Sequence, residues 1–104
     1  MHFRFVPEAE TELAEARIWY GLQRDGLDVE LMQRIDETLE RIGTAPRRFP
    51  RVHWQLRRAI VKQFPFAIFY KETKDEILVF AVFHSRRDPK HLTSRLKHLS
   101  NSDF

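Results

Sequence analysis

The sequence predicts an α+β domain in which a short strand and a helical hairpin precede a three-stranded antiparallel meander and a C-terminal helix. Apolar residues recur at helical spacing from Ala9 to Ile42. From Leu56 onward the pattern changes to three runs rich in β-branched and aromatic residues, separated by turn signals. The last run, Ile77-Leu78-Val79-Phe80-Ala81-Val82-Phe83, contains no polar residue, so both of its faces must be covered. With 104 residues, one domain spanning 1–104 is expected.

Met1–Val6 alternates so that Phe3 and Phe5 share one face of a short strand. Pro7 suits the first position of a helix, and Glu8 and Glu10 follow where the helix dipole favours anions. Ala9, Leu13, Ala16 and Tyr20 form one helical stripe, and Trp19 and Tyr20 are expected to pack in the core rather than stack on bases. Gln23-Arg24-Asp25-Gly26 interrupts the pattern, and Asp25 or Asp28 is placed to cap the next helix. Its stripe is Leu31, Ile35, Leu39 and Ile42, ending at Gly43 with Pro46 just beyond.

Residues 47–54, Arg47 to Trp54, read as an extended connection punctuated by Pro50. Strands are expected at Leu56–Gln63, Phe66–Glu72 and Glu76–His84, with turns at Phe64-Pro65 and Thr73-Lys74-Asp75. Tyr70 alternates with Phe66 and Ile68 and is expected to be half-buried. Two helices cover only one face of the resulting four-stranded sheet, so the C-terminal segment or a partner chain must cover the other. Leu92, Leu96 and Leu99 give that segment an apolar stripe, with Lys90, His91, Arg95 and His98 on the opposite side. Asp88-Pro89 supplies its N-cap and first helical position.

Composition excludes several classes of function. Zero Cys removes disulfide scaffolds, thiolate-zinc sites and cysteine nucleophiles. His53, His84, His91 and His98 have no metal-ligand spacing, and there is no Gly-rich phosphate loop, so neither a metal nor a cofactor is expected. No apolar run approaches the roughly 18 residues of a membrane span, and the first residues lack a signal's apolar core. A cytoplasmic protein without membrane association is the expectation. Charge is uneven: residues 1–45 hold five Arg against ten Asp/Glu, a charge of −5, and residues 46–104 hold thirteen Lys/Arg against five Asp/Glu, a charge of +8. Either the basic half meets an anionic partner, or the halves neutralise one another within the fold.

Trp19-Tyr20, Arg48-Phe49-Pro50, Phe64-Pro65-Phe66 through Tyr70, and Val82-Phe83-His84-Ser85-Arg86-Arg87-Asp88-Pro89 follow one another along nearly the whole chain. Their order and spacing, with the order of elements, resemble the RelE/ParE superfamily of bacterial toxins from type II toxin–antitoxin systems, of the ParE-like or plasmid-stabilisation type. The resemblance implies a growth-inhibiting toxin neutralised by a cognate antitoxin protein that wraps it through helices or an added strand. Contact with operator DNA is implied only through the antitoxin complex.

Superfamily membership leaves three activities open. ParE-like members inhibit DNA gyrase without cleaving anything; RelE-like members are endoribonucleases that cut mRNA on the ribosome; others keep the fold as non-toxic binding proteins. Cleavage through a ribose 2′-OH needs an acid, a base and fixed cations around the phosphorane. Arg58 and Lys62 are expected on one face of a strand because their separation is even, and Arg86 and Arg87 follow the last strand. For a RelE-like enzyme the catalytic candidates are Arg58, Lys62, His84, Arg86, Arg87 and His91. The resemblance implies, for a RelE-like enzyme, an arginine on the strand before the second turn and a tyrosine in the C-terminal segment. The matching arginine position falls at or beside Ala67, and no Tyr follows Tyr70 where the tyrosine would lie, near Lys90, His91 or Leu92. These departures favour the gyrase-directed reading, with Arg57, Arg58, Lys62, Arg86 and Arg87 as an anion- or target-binding group. Structural roles compete: Asp88 as a cap, Arg86 or Arg87 paired to a helix carboxylate, and His84 as a hydrogen-bonded strand-end residue.

Overall fold

The computed structural model describes residues 2–53 and 55–99. Met1 and Trp54, expected in the first strand and the extended connection, lie outside the described residues, as do the last five residues and the side chains of His98 and Leu99 on the last helix.

The elements are β1 (Phe3–Phe5), α1 (Pro7–Gln23), α2 (Leu27–Thr44), a 3-10 turn (Pro46–Arg48), β2 (Arg51–His53), β3 (Leu56–Ile60), β4 (Phe66–Glu72), β5 (Ile77–His84) and α3 (Lys90–Leu99). They form a five-stranded sheet in the order β1-β5-β4-β3-β2. β1 runs parallel to β5, and the remaining neighbours are antiparallel. The expected α+β order therefore holds, with one more strand. Part of the extended connection, Arg51–His53, pairs with β3 across an irregular register.

Local chemistry explains where the boundaries move. β3 ends at Ile60 rather than Gln63, because Val61 N donates to Phe66 O at 3.0 Å and Phe66 N to Phe64 O at 2.8 Å, closing the turn early. Gln63 adopts φ 74° within it. Neither Asp25 nor Asp28 caps α2: Gly26 occupies the N-cap at φ 85°, a left-handed conformation that costs glycine little, and no side chain bonds there. Pro7 opens α1 as expected. Asp88 does cap α3, its Oδ1 accepting from Lys90 N at 2.9 Å.

Two apolar clusters lie on opposite faces of the sheet. On one side α1 and α2 place Ala9, Ala16, Leu31, Ile35 and Ile42 against Ile68, Tyr70, Ile77, Val79 and Val82. Leu13, Tyr20 and Leu39 pack at its edge, and Thr38, buried in α2, donates its hydroxyl to Arg34 O at 2.7 Å. On the other side α3 places Leu92 and Leu96 against Leu56, Phe69, Phe80, Ala81 and Phe83. The second face is thus covered by the chain's own last helix. A register shift on β5 assists: Phe69 pairs with Ala81 and Tyr70 with Val79, so Phe80 is an extra residue. Phe80 and Ala81 can then both enter the α3 cluster.

Two aromatic expectations are corrected. Tyr70 is fully buried rather than half-buried, and its hydroxyl donates to Pro46 O at 2.6 Å. Burial raises its phenol to about 12. Trp19 is not core: it stays 55% exposed and touches Tyr20 edge-on at 4.8 Å, whereas Tyr20 reaches inward to Phe64 at 5.0 Å. Among the described residues, no helix is long and apolar enough to cross a membrane.

Candidate functional site

β1 is only three residues long, and its pairing with β5 stops at Val79. Val6 N still donates to Val79 O at 3.0 Å, but beyond that point the outer edge of β5 needs other partners. Side chains supply them. Glu12, on α1, accepts from Val82 N through Oε1 at 3.0 Å. Its Oε2 accepts from Arg87 Nη1 at 2.6 Å and from Arg95 Nη1 at 2.8 Å. Arg95 Nη2 donates to Phe80 O, and its guanidinium lies 4.8 Å from the Phe80 ring centre. Arg87 stacks 5.1 Å from Phe83. Glu12 and Arg95 therefore complete the β5 edge and fasten α3 to α1 across it.

This network fixes where several of the candidate side chains lie. Arg87 is the arginine that pairs with a helix carboxylate. Arg95 does not point outward with Lys90 and His91; its side chain is only 16% exposed because it turns in to Glu12 and Phe80 O, and its Nε is buried without a partner. Arg86 stays exposed, and its backbone N donates to His84 Nδ1 at 3.0 Å. That bond takes up Nδ1 and leaves Nε2 as the site for a ring proton. The His84 ring meets Phe66 edge-on at 5.1 Å and, with Ala16, Trp19 and Tyr20, lines a small aromatic cavity of about 290 Å³. His91 is exposed on the first turn of α3.

The strand cations are separated as well. Arg58 pairs with Phe69 in register, so it lies on the α3 face of the sheet, and it is exposed. Lys62 follows the end of β3 and lines a cleft with Arg34, Arg41, Arg48, Glu37 and Glu40 of the α2 side. The two are not on one face, because a two-residue period holds only inside a strand and β3 ends between them. Arg57 faces the hairpin side, where its Nη1 donates to Phe49 O at 2.6 Å and Arg47 O at 3.3 Å. Ala67 packs against the α3 cluster.

The expected anion-binding group is thus distributed over four places. What the structure assembles instead is a cavity of about 340 Å³ lined by Arg47, Arg51, Gln55, Arg57, Lys71 and Glu72. Of these, only Arg57 was a candidate from the sequence. The signal for Arg47 and Arg51 was the density of arginines ahead of Arg57, but its convergence depends on β2 folding back on β3. Glu12 carried no sequence signal beyond its place on an acidic helix. Among the described residues, no group of three or more His, Asp or Glu is arranged to hold a metal ion.

A family model described as the ParE toxin of a type II toxin–antitoxin system, parDE, matches residues 3–89. Among solved structures, the chain is similar to one described as "Chromosomal ParDE TA system from P. aeruginosa": TM-score 0.67 at 16% identity, covering 81% of this chain and 95% of that one. At that identity the likeness concerns the fold. No curated protein matches the sequence.

Proposed function

The chain belongs to the ParE toxin family of type II toxin–antitoxin systems, and from that premise we propose that it is a growth-inhibiting toxin that acts by binding, on DNA gyrase, and is neutralised by a cognate antitoxin protein. The observation that carries the non-catalytic reading is the dispersal of the groups cleavage would need. Arg87 is held by Glu12, Arg58 and Lys62 occupy different sides of the sheet, and the position expected to match the RelE-like arginine falls at or beside Ala67, which packs against the α3 cluster. General acid–base cleavage needs an acid, a base and cations within hydrogen-bond reach of one phosphate. The ParE-like character of the sequence is what supports gyrase as the target.

The antitoxin reading draws on exposed apolar surface. Ile18, Trp19 and Leu22 lie along α1 at 66%, 55% and 79% exposure, a surface that an amphipathic partner segment would cover. Expression in a sensitive bacterial host tests both parts. The expected outcome is growth arrest with induction of the DNA-damage response, messages intact by primer extension, and relief by the product of the adjacent reading frame. Ribosome-dependent cuts in mRNA would instead establish the RelE-like endoribonuclease. The absence of any growth defect would establish a non-toxic binding protein.

A further inference from the structure

We propose that the cavity between the 3-10 turn and strands β2, β3 and β4 binds a phosphoryl group, with Arg51 and Arg57 as its principal ligands. Among the described residues, Arg47, Arg51, Arg57 and Lys71 line the cavity with Glu72 as the carboxylate. That carboxylate is engaged: Arg47 Nε donates to Glu72 Oε1 at 3.0 Å. The cavity volume, about 340 Å³, lies at the lower end of the roughly 300–1,000 Å³ typical of small-ligand sites.

The second observation is the register. Arg51 and Arg57 are direct Cα partners across the antiparallel β2–β3 pair. Like charges placed directly opposite destabilise a sheet, so this pair costs the fold free energy unless an anion lies between them. Arg57 is also preset. Its Nη1 is fixed by Phe49 O and Arg47 O, which orients the rest of the guanidinium before any ligand arrives. Arg51 is exposed and makes no ion pair among the described residues.

The excess of positive charge selects the ligand. A carboxylate carries one negative charge, whereas a phosphate monoester carries about two at neutral pH and a diphosphate more. Arginine forks also suit bidentate contact with phosphate oxygens. Gln55 adds an amide able to donate or accept at the rim. The phosphoryl group could belong to a free nucleotide or to the 5′ end of a nucleic-acid strand. This site is independent of the toxin's target and holds whether or not gyrase is inhibited.

The test is thermal unfolding and equilibrium binding of the full chain with pyrophosphate, ATP, and a short oligonucleotide with or without a 5′-phosphate, in low salt. Pyrophosphate and ATP are expected to raise the melting temperature, and to do so less as ionic strength rises. Stronger stabilisation by ATP than by pyrophosphate marks a free nucleotide; stronger stabilisation by the 5′-phosphorylated strand than by ATP marks a strand end. Arg51→Ala should leave the unliganded protein at least as stable, since it removes the like-charge pair, while weakening anion binding about tenfold or more. Lys74→Ala, in the β4–β5 turn, should bind as the parent does. No stabilisation by any phosphate probe, equal stabilisation by the oligonucleotide without its phosphate, or an Arg51→Ala variant that binds as tightly as the parent would overturn the proposal.

Discussion

At Glu12 one carboxylate receives three donors: a backbone N–H of β5 and two arginine side chains. Its side chain is 10% exposed and that of Arg95 16%, so removing either leaves a charge and a strand edge unsatisfied away from water. Glu12→Ala is therefore expected to destabilise the fold by about 3–5 kcal/mol, the range for breaking a buried pair by deleting one partner. Urea unfolding measures it, and a loss under about 1 kcal/mol would contradict the assigned role. Arg87, at 40% exposure, should matter less: Arg87→Ala is expected to cost no more than about 1 kcal/mol. Tyr70 adds a pH dependence. Its phenol ionises at about 12 in the fold, above its ordinary value of 10.0, because burial disfavours the phenolate. The native state thus holds this proton where the unfolded chain has released it. The resulting stabilisation is complete below pH 10 and is lost as pH rises through 12. Tyr70→Phe should flatten that alkaline decline and remove the late step from the ultraviolet phenolate titration.

At the scale of elements, the apolar run of β5 and the leucines of α3 explain each other. Leu92 and Leu96 are 2% and 4% exposed against Phe69, Phe80 and Phe83. Leu96→Ala should cost about 2–5 kcal/mol, and protection of the β5 amides against hydrogen exchange should fall with it. If the helix were a loose appendage, the substitution would be nearly silent. The helices and the meander were legible because their signals are local: stripes at helical spacing, Pro7, Pro46, Asp88-Pro89 and the Phe64-Pro65 turn. What was not legible depends on partners distant in sequence. β2 has no strand pattern of its own and exists because Arg51–His53 pairs with β3. The end of β3 is set by hydrogen bonds to Phe64 and Phe66, and moving it by three residues was enough to separate Lys62 from Arg58. Asp25 and Asp28 are sound capping residues in isolation, but the α1–α2 turn passes through a left-handed conformation that Gly26 takes.

For the molecule as a whole, the charge asymmetry has a mixed resolution. The acidic hairpin and the basic half do meet, at Glu12 with Arg87 and Arg95. Yet Arg47, Arg51, Arg57 and Lys71 gather around a cavity whose carboxylate, among the described lining residues, is Glu72, so positive charge is concentrated at that edge of the sheet. Charge counts by sequence half could not separate these cases, because pairing is decided by which residues the topology brings into contact. The superfamily was legible in the order of motifs, and the family model over residues 3–89 bears it out. The proposed antitoxin surface predicts that Leu22→Glu, on the exposed face of α1, weakens relief by the adjacent gene product at least about tenfold, since a buried charge would replace an apolar contact. Unfolding should be unchanged, and unaltered relief would place the antitoxin elsewhere. Proposed action on gyrase by binding is tested most directly by DNA supercoiling with purified gyrase as the purified protein is titrated in. Supercoiling is expected to fall with added protein and to be restored by the antitoxin; full supercoiling at a large molar excess, with cleavage of ribosome-bound message by the same preparation, would overturn the binding mechanism.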